Sequence, residues 1–69
     1  MNELDVFLGS REAKDYNRIR AIIKQECYIS NPTLWNWRNG KRPIAPIYQD
    51  KINQIANREF GVKVFETNN

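Results

Sequence analysis

Apolar residues recur at helical spacing through most of the chain. Tyr16, Ile19, Ile23 and Cys27 stand at i, i+3, i+7 and i+11, and Ile22 widens the stripe. This spacing predicts helix from Arg11 to about Cys27, with Arg11, Lys14, Arg18 and Lys24 off the stripe. Asp15 or Asn17 is also able to cap a second helix inside this segment, so the pattern leaves one helix or two open. Before it, Leu4, Phe7 and Leu8 predict a short helix over 2–8, with Gly9 as its stop and Ser10 placed to cap the next one. After it, Ile47, Tyr48, Ile52, Ile55, Ala56 and Phe60 predict a last helix over 46–59, with Pro46 in its first turn and Gly61 as its stop. Val62 to Phe65 is too short to assign and reads either as an extended tail over the core or as a partner-binding strand. Glu66 to Asn69 is expected to fray. The expected fold is one all-α domain, a compact bundle of four or five short helices. Its core is expected at about 10–61, with 62–69 as a tail.

The segment from Ile29 to Pro43 is the most informative. Ser30 is an N-cap signal, Pro32 is tolerable in the first turn, and Gly40 can take the left-handed conformation that closes a helix. The helix between them, 31–39, has under three turns and needs tertiary support. Leu34 and Trp37 at i, i+3 must bury one stripe. The other face carries Asn31, Trp35, Asn36 and Asn39, and Lys41 and Arg42 follow at once. Tyr28-Ile29 is a very short connection from the preceding helix, which forces close contact at a sharp angle. A short helix with one anchored stripe, an amide-rich outer face and a basic exit suits the major groove of DNA.

Composition narrows the function classes. With 69 residues, the chain holds a small core of marginal stability. It has no histidine and a single cysteine, Cys27, so it offers no Cys/His spacing for zinc and no internal disulfide. Its carboxylates are scattered and none pairs with an obvious nucleophile. An enzyme is not expected, nor a cofactor, a metal or a small-molecule substrate. The N-terminus lacks the basic start and apolar run of a signal peptide, and no apolar stretch reaches bilayer length. With a lone thiol, these features predict a cytoplasmic, nucleoid-associated protein without a membrane partner. Cys27 itself reads as a buried small hydrophobe.

The net charge is +3, unevenly spread. Residues 1–10 hold Glu3 and Asp5 without a cation. Residues 11–42 hold Arg11, Lys14, Arg18, Arg20, Lys24, Arg38, Lys41 and Arg42 against Glu12, Asp15 and Glu26, and the rest is balanced. The excess therefore coincides with the candidate recognition helix, which favours a polyanion as partner.

On these residues the chain resembles helix-turn-helix domains of the lambda-repressor-like, Cro-like class. It also resembles short bacterial helix-turn-helix proteins with an aromatic-Asn-Trp-x-x-Gly segment, here Trp35-Asn36-Trp37-Arg38-Asn39-Gly40. Ile23 and Cys27 match two buried positions of the class, Ile29 the aliphatic and Ser30 the cap. Leu34 and Trp37 match the buried stripe, and Gly40-Lys41 the helix exit. The resemblance covers about 16–60. It implies sequence-specific binding of double-stranded DNA by a bacterial or phage-type transcriptional regulator, with a homodimer expected by analogy. By this carry-over Asn31, Pro32 and Asn36 fall on base-facing positions. Thr33, Lys41 and Arg42 fall on or near phosphate contacts, and Arg20 near the start of the helix that crosses the backbone. Two residues depart from the class: Lys24 stands where a small residue is usual, and Tyr28 where the turn usually has glycine. The departure at Tyr28 leaves open a turn that is built differently or is one residue longer.

Individual residues carry rival readings. Asn36 can donate to N7 and accept from N6–H of adenine, a bidentate match, or be a solvated surface amide. Asn31 is a base reader or a capping residue beside Ser30, and Asn39 a helix-end residue. Trp37 is core by spacing. Trp35 lies off that stripe and can meet a thymine methyl, join a dimer patch or pack on the long helix. Arg38, with Lys41 and Arg42, is a phosphate clamp if DNA binds. Two other functions stay in view: an architectural, excisionase-like factor that bends DNA, and an antitoxin-like protein-interaction module using Trp35 or the tail.

Overall fold

The computed structural model describes residues 2–66 and contains four helices: α1 (Glu3–Gly9), α2 (Ala13–Cys27), α3 (Asn31–Arg38) and α4 (Pro46–Phe60). The fold is an all-α small bundle, as the periodicity predicts. The segment 11–27 holds one helix and not two, beginning at Ala13 and not at Arg11, so Asp15 and Asn17 lie within it and are not caps. Ser10 does not cap α2 either; it is the C-cap of α1, and its hydroxyl donates to the Phe7 carbonyl at 2.9 Å. α2 starts after Glu12, without a side-chain cap.

α2 packs against both α1 and α4, and α1 also meets α3. The shared core contains Ile19, Ile23 and Cys27 of α2, Leu34 and Trp37 of α3, and Ile52, Ile55 and Ala56 of α4. It extends beyond 10–61 at both ends. Leu4, Phe7 and Leu8 of α1 are buried, and so is Phe65 in the tail. Asn53 fixes that tail. Its Oδ1 accepts from the Val64 and Phe65 amides at 2.9 and 2.8 Å, and its Nδ2 donates to the Phe65 carbonyl at 3.0 Å. One amide side chain thus stands in for a neighbouring strand, so an irregular segment has its backbone groups satisfied while Phe65 plugs the core. Ile47 goes the other way. The period assigns it to the stripe, but it is largely exposed at the start of α4, and Tyr48 is only partly covered, against Trp37. Among the described residues no helix is long and apolar enough to cross a membrane. The calls on Thr67 to Asn69 lie outside the described residues.

A ladder of ion pairs closes the α2–α4 seam. Arg58 reaches Glu26 at 2.6 Å, Lys51 reaches the same carboxylate at 3.4 Å, and Arg18 pairs with Glu59. The Arg58 hydrogen bond holds Glu26 below its ordinary 4.5, and the Arg18 bond does the same for Glu59. A carboxylate with a lowered folded pKa stabilises the fold above its unfolded pKa and stops doing so as pH falls through the folded value. The melting temperature should therefore be flat from neutral pH down to about the ordinary carboxylate range and decline below it. Arg58→Ala should make that decline shallower. Thermal melts of both proteins across the acid range measure this, and parallel curves would show that the ladder adds nothing. Because the pairs are exposed, the effect is small.

Candidate nucleic-acid interface

The α2–α3 junction sets the geometry of the site. Tyr28 adopts the left-handed conformation itself, at φ 56°, in the position that glycine fills in the resembled class. The turn is therefore not lengthened. The Lys24 carbonyl accepts from the Tyr28 amide and, at 3.0 Å, from the Ile29 amide. Tyr28 is almost wholly exposed, so its ring collides with nothing, and the remaining cost is backbone strain of about 1–2 kcal/mol. Two residues later Ser30 opens α3, its Oγ accepting from the Thr33 amide. At the far end Gly40 takes φ 70°. The Lys41 amide donates to the Asn36 carbonyl at 2.9 Å and the Gly40 amide to that of Trp37 at 3.3 Å. This doubly bonded left-handed cap leaves Lys41 and Arg42 exposed just past the helix.

α3 is tethered by its inner face. Leu34 and Trp37 are buried, Trp37 lies 5.2 Å from the Tyr48 ring centroid, and its carbonyl accepts from Asn2 Nδ2 at 2.5 Å. Arg38 is a third tether, so its expected role as a phosphate clamp changes. Its Nε donates to Asp5 at 2.9 Å, its Nη1 donates to the Tyr16 hydroxyl at 2.5 Å, and the guanidinium lies over the Tyr16 ring. Arg38 thus joins α1, α2 and α3. No local pattern reveals this, because Asp5 and Tyr16 lie 33 and 22 residues away.

The outer face presents the remaining candidates. Asn31, Pro32 and Trp35 are exposed, Trp35 at 56 %, and with Tyr16, Arg20, Leu34 and Arg38 they line a groove of about 360 Å³ between α2 and α3. Asn36 is half-buried beside them, and its side-chain amide has no hydrogen-bond partner among the described residues. Asn39 is occupied as a helix-end residue, its Nδ2 donating to the Trp35 carbonyl at 2.8 Å. The Thr33 hydroxyl sits 3.2 Å from that of Ser30. Asn31 is also engaged: its Oδ1 accepts from Arg20 Nη2 at 3.0 Å and from Lys24 Nζ at 2.6 Å. Cys27 lies in the core, where burial pushes its thiol up.

The charges sort by position. Arg18, Arg38, Lys51, Arg58 and Lys63 each have a carboxylate partner. Among the described residues Arg20, Lys24, Lys41 and Arg42 have none, and they flank the two ends of α3; Arg11 and Lys14 have none either but lie away from α3, Arg11 over the Phe7 and Phe60 rings. Eight helical residues span about 12 Å, close to the width of the B-DNA major groove. Lys24 was absent from the sequence-based candidates, although a signal existed. Arg20 and Lys24 are like charges at i, i+4 without an acid at helical spacing, an arrangement unfavourable for an isolated helix. No family model, curated protein or solved structure matches the chain.

Proposed function

We propose that this protein binds double-stranded DNA sequence-specifically, inserting the outer face of α3 into the major groove, and acts as a bacterial or phage-type transcriptional regulator. One observation carries the reading: Arg20, Lys24, Lys41 and Arg42, none with a carboxylate partner among the described residues, bracket the two ends of α3, while Arg18, Arg38, Lys51, Arg58 and Lys63 are paired with carboxylates. Phosphate contacts from both ends orient the helix, and the groups between them face the bases. Asn36, with both halves of its amide unengaged, is the adenine reader, and Trp35 with Pro32 provides the apolar surface for a thymine methyl. The cap at Gly40 fixes where Lys41 and Arg42 leave the helix, so these two act on the backbone and not on sequence.

Salt dependence tests this assignment. Each phosphate contact contributes about one unit to the slope of log affinity against log salt. The double variant Lys41→Gln, Arg42→Gln should therefore bind every duplex more weakly and show a slope shallower by about two units. Equal slopes for variant and wild type would remove the α3 exit from the interface.

A further inference from the structure

We propose that Arg20, Lys24 and Asn31 form one phosphate-binding clamp, in which Asn31 is a positioning residue and not a base reader. The inference rests on the DNA reading and deepens it. Arg20 and Lys24 are one turn apart on α2, and both converge on a single neutral oxygen, Asn31 Oδ1, at 3.0 and 2.6 Å. Among the described residues no carboxylate accompanies them. Two cations brought together on an uncharged acceptor repel one another, and a bound anion relieves that repulsion. The Arg20 guanidinium is further set by the Tyr16 ring, 5.6 Å from its centroid, so its plane is fixed before any ligand arrives.

The donor inventory defines the ligand. A carbonyl oxygen has two lone pairs, and at Asn31 both are taken by charged donors. Bidentate recognition of adenine needs that oxygen to accept from N6–H, so Asn31 reads adenine only by releasing both cations. What the cluster still offers is donors alone: the Asn31 NH₂, the remaining N–H groups of Arg20 and the remaining ammonium protons of Lys24. A donor-only cluster of two positive charges suits a phosphate group, which accepts on every oxygen. The base-facing place that the resemblance gives to Asn31 thus passes to Asn36.

Two arms test the proposal. In the first, inorganic phosphate is added at constant ionic strength while the Asn31 side-chain amide is followed by ¹⁵N NMR. The wild-type resonances should shift and saturate, and Lys24→Gln should abolish the shift. Resonances that phosphate leaves unmoved overturn the clamp. In the second arm the phosphate belongs to duplex DNA. Lys24→Gln should lower affinity roughly tenfold at 0.1 M salt, make the salt slope shallower by about one unit, and leave base preference unchanged. Asn31→Asp gives both cations a carboxylate at a helix start, so it should melt no lower than wild type while binding every duplex more weakly. A loss of preference at one base pair in Asn31→Asp would show that Asn31 reads a base and overturn its positioning role. A phosphate response in a protein that binds no duplex would keep the clamp and remove the DNA reading.

Discussion

Trp37→Ala should unfold the protein or bring it to the edge of unfolding. Trp37 is only 4 % exposed, at the point where α1, α3 and α4 meet. Its ring packs on Tyr48, and its carbonyl receives the Asn2 amide that caps α1. Emptying a large aromatic site costs about 3–5 kcal/mol, and that is most of the stability of a small domain. Trp35→Ala removes a half-exposed ring and should change stability by no more than about 0.5 kcal/mol. Thermal and urea melts of the two variants compare them directly. The reverse order would mean that the inner and outer faces of α3 have been exchanged.

Asn36→Ala should have its large effect on recognition and almost none on folding. The backbone carbonyl of Asn36 accepts from the Lys41 amide and is retained in alanine, while its side chain bonds to nothing described. Alanine is also the better helix former. Losing one bidentate base contact should reduce discrimination at a single base pair by about 1–3 kcal/mol, with non-specific affinity almost unchanged. Arginine or lysine at this position should move the preference toward guanine, because both are donors only. A binding profile over single-base variants of the preferred site decides the matter. Superimposable profiles for wild type and Asn36→Ala would make Asn36 a surface residue without a reading role.

The segment from Ile29 to Pro43 was legible in the sequence because its signals are local. The Ser30 cap, the Leu34 and Trp37 pair and the Gly40 exit all act within a few residues, and all take the positions their chemistry demands. The segment 11–27 was ambiguous because Asp and Asn can cap a helix or sit in one. The unbroken Ile19, Ile23, Cys27 stripe lying on the core decides for one helix. The burial of α1 was not legible, and for the tail the sequence left a cover over the core and a partner-binding strand both open; the buried Phe65 decides for the cover. α1 has seven residues, too few for periodicity to separate a core helix from a surface turn. Phe65 follows a glycine stop in a segment without period, and what anchors it is a side-chain bond from Asn53, twelve residues earlier. The same limit governs the site. Arg38 looked like its neighbours Lys41 and Arg42, and only the three-dimensional approach of Asp5 and Tyr16 separates it from them. Lys24 carried a readable like-charge signal with Arg20, but the amide that gathers both cations comes from the next helix.

The central claim is that α3 reads duplex DNA, and selection from a random pool of double-stranded sequences tests it most directly. The wild-type protein should enrich a short motif containing at least one adenine whose identity matters less to Asn36→Ala. A two-fold symmetric motif would report pairing of two copies. A pool that stays random through successive rounds at low salt, with protein that melts cooperatively, would contradict the account.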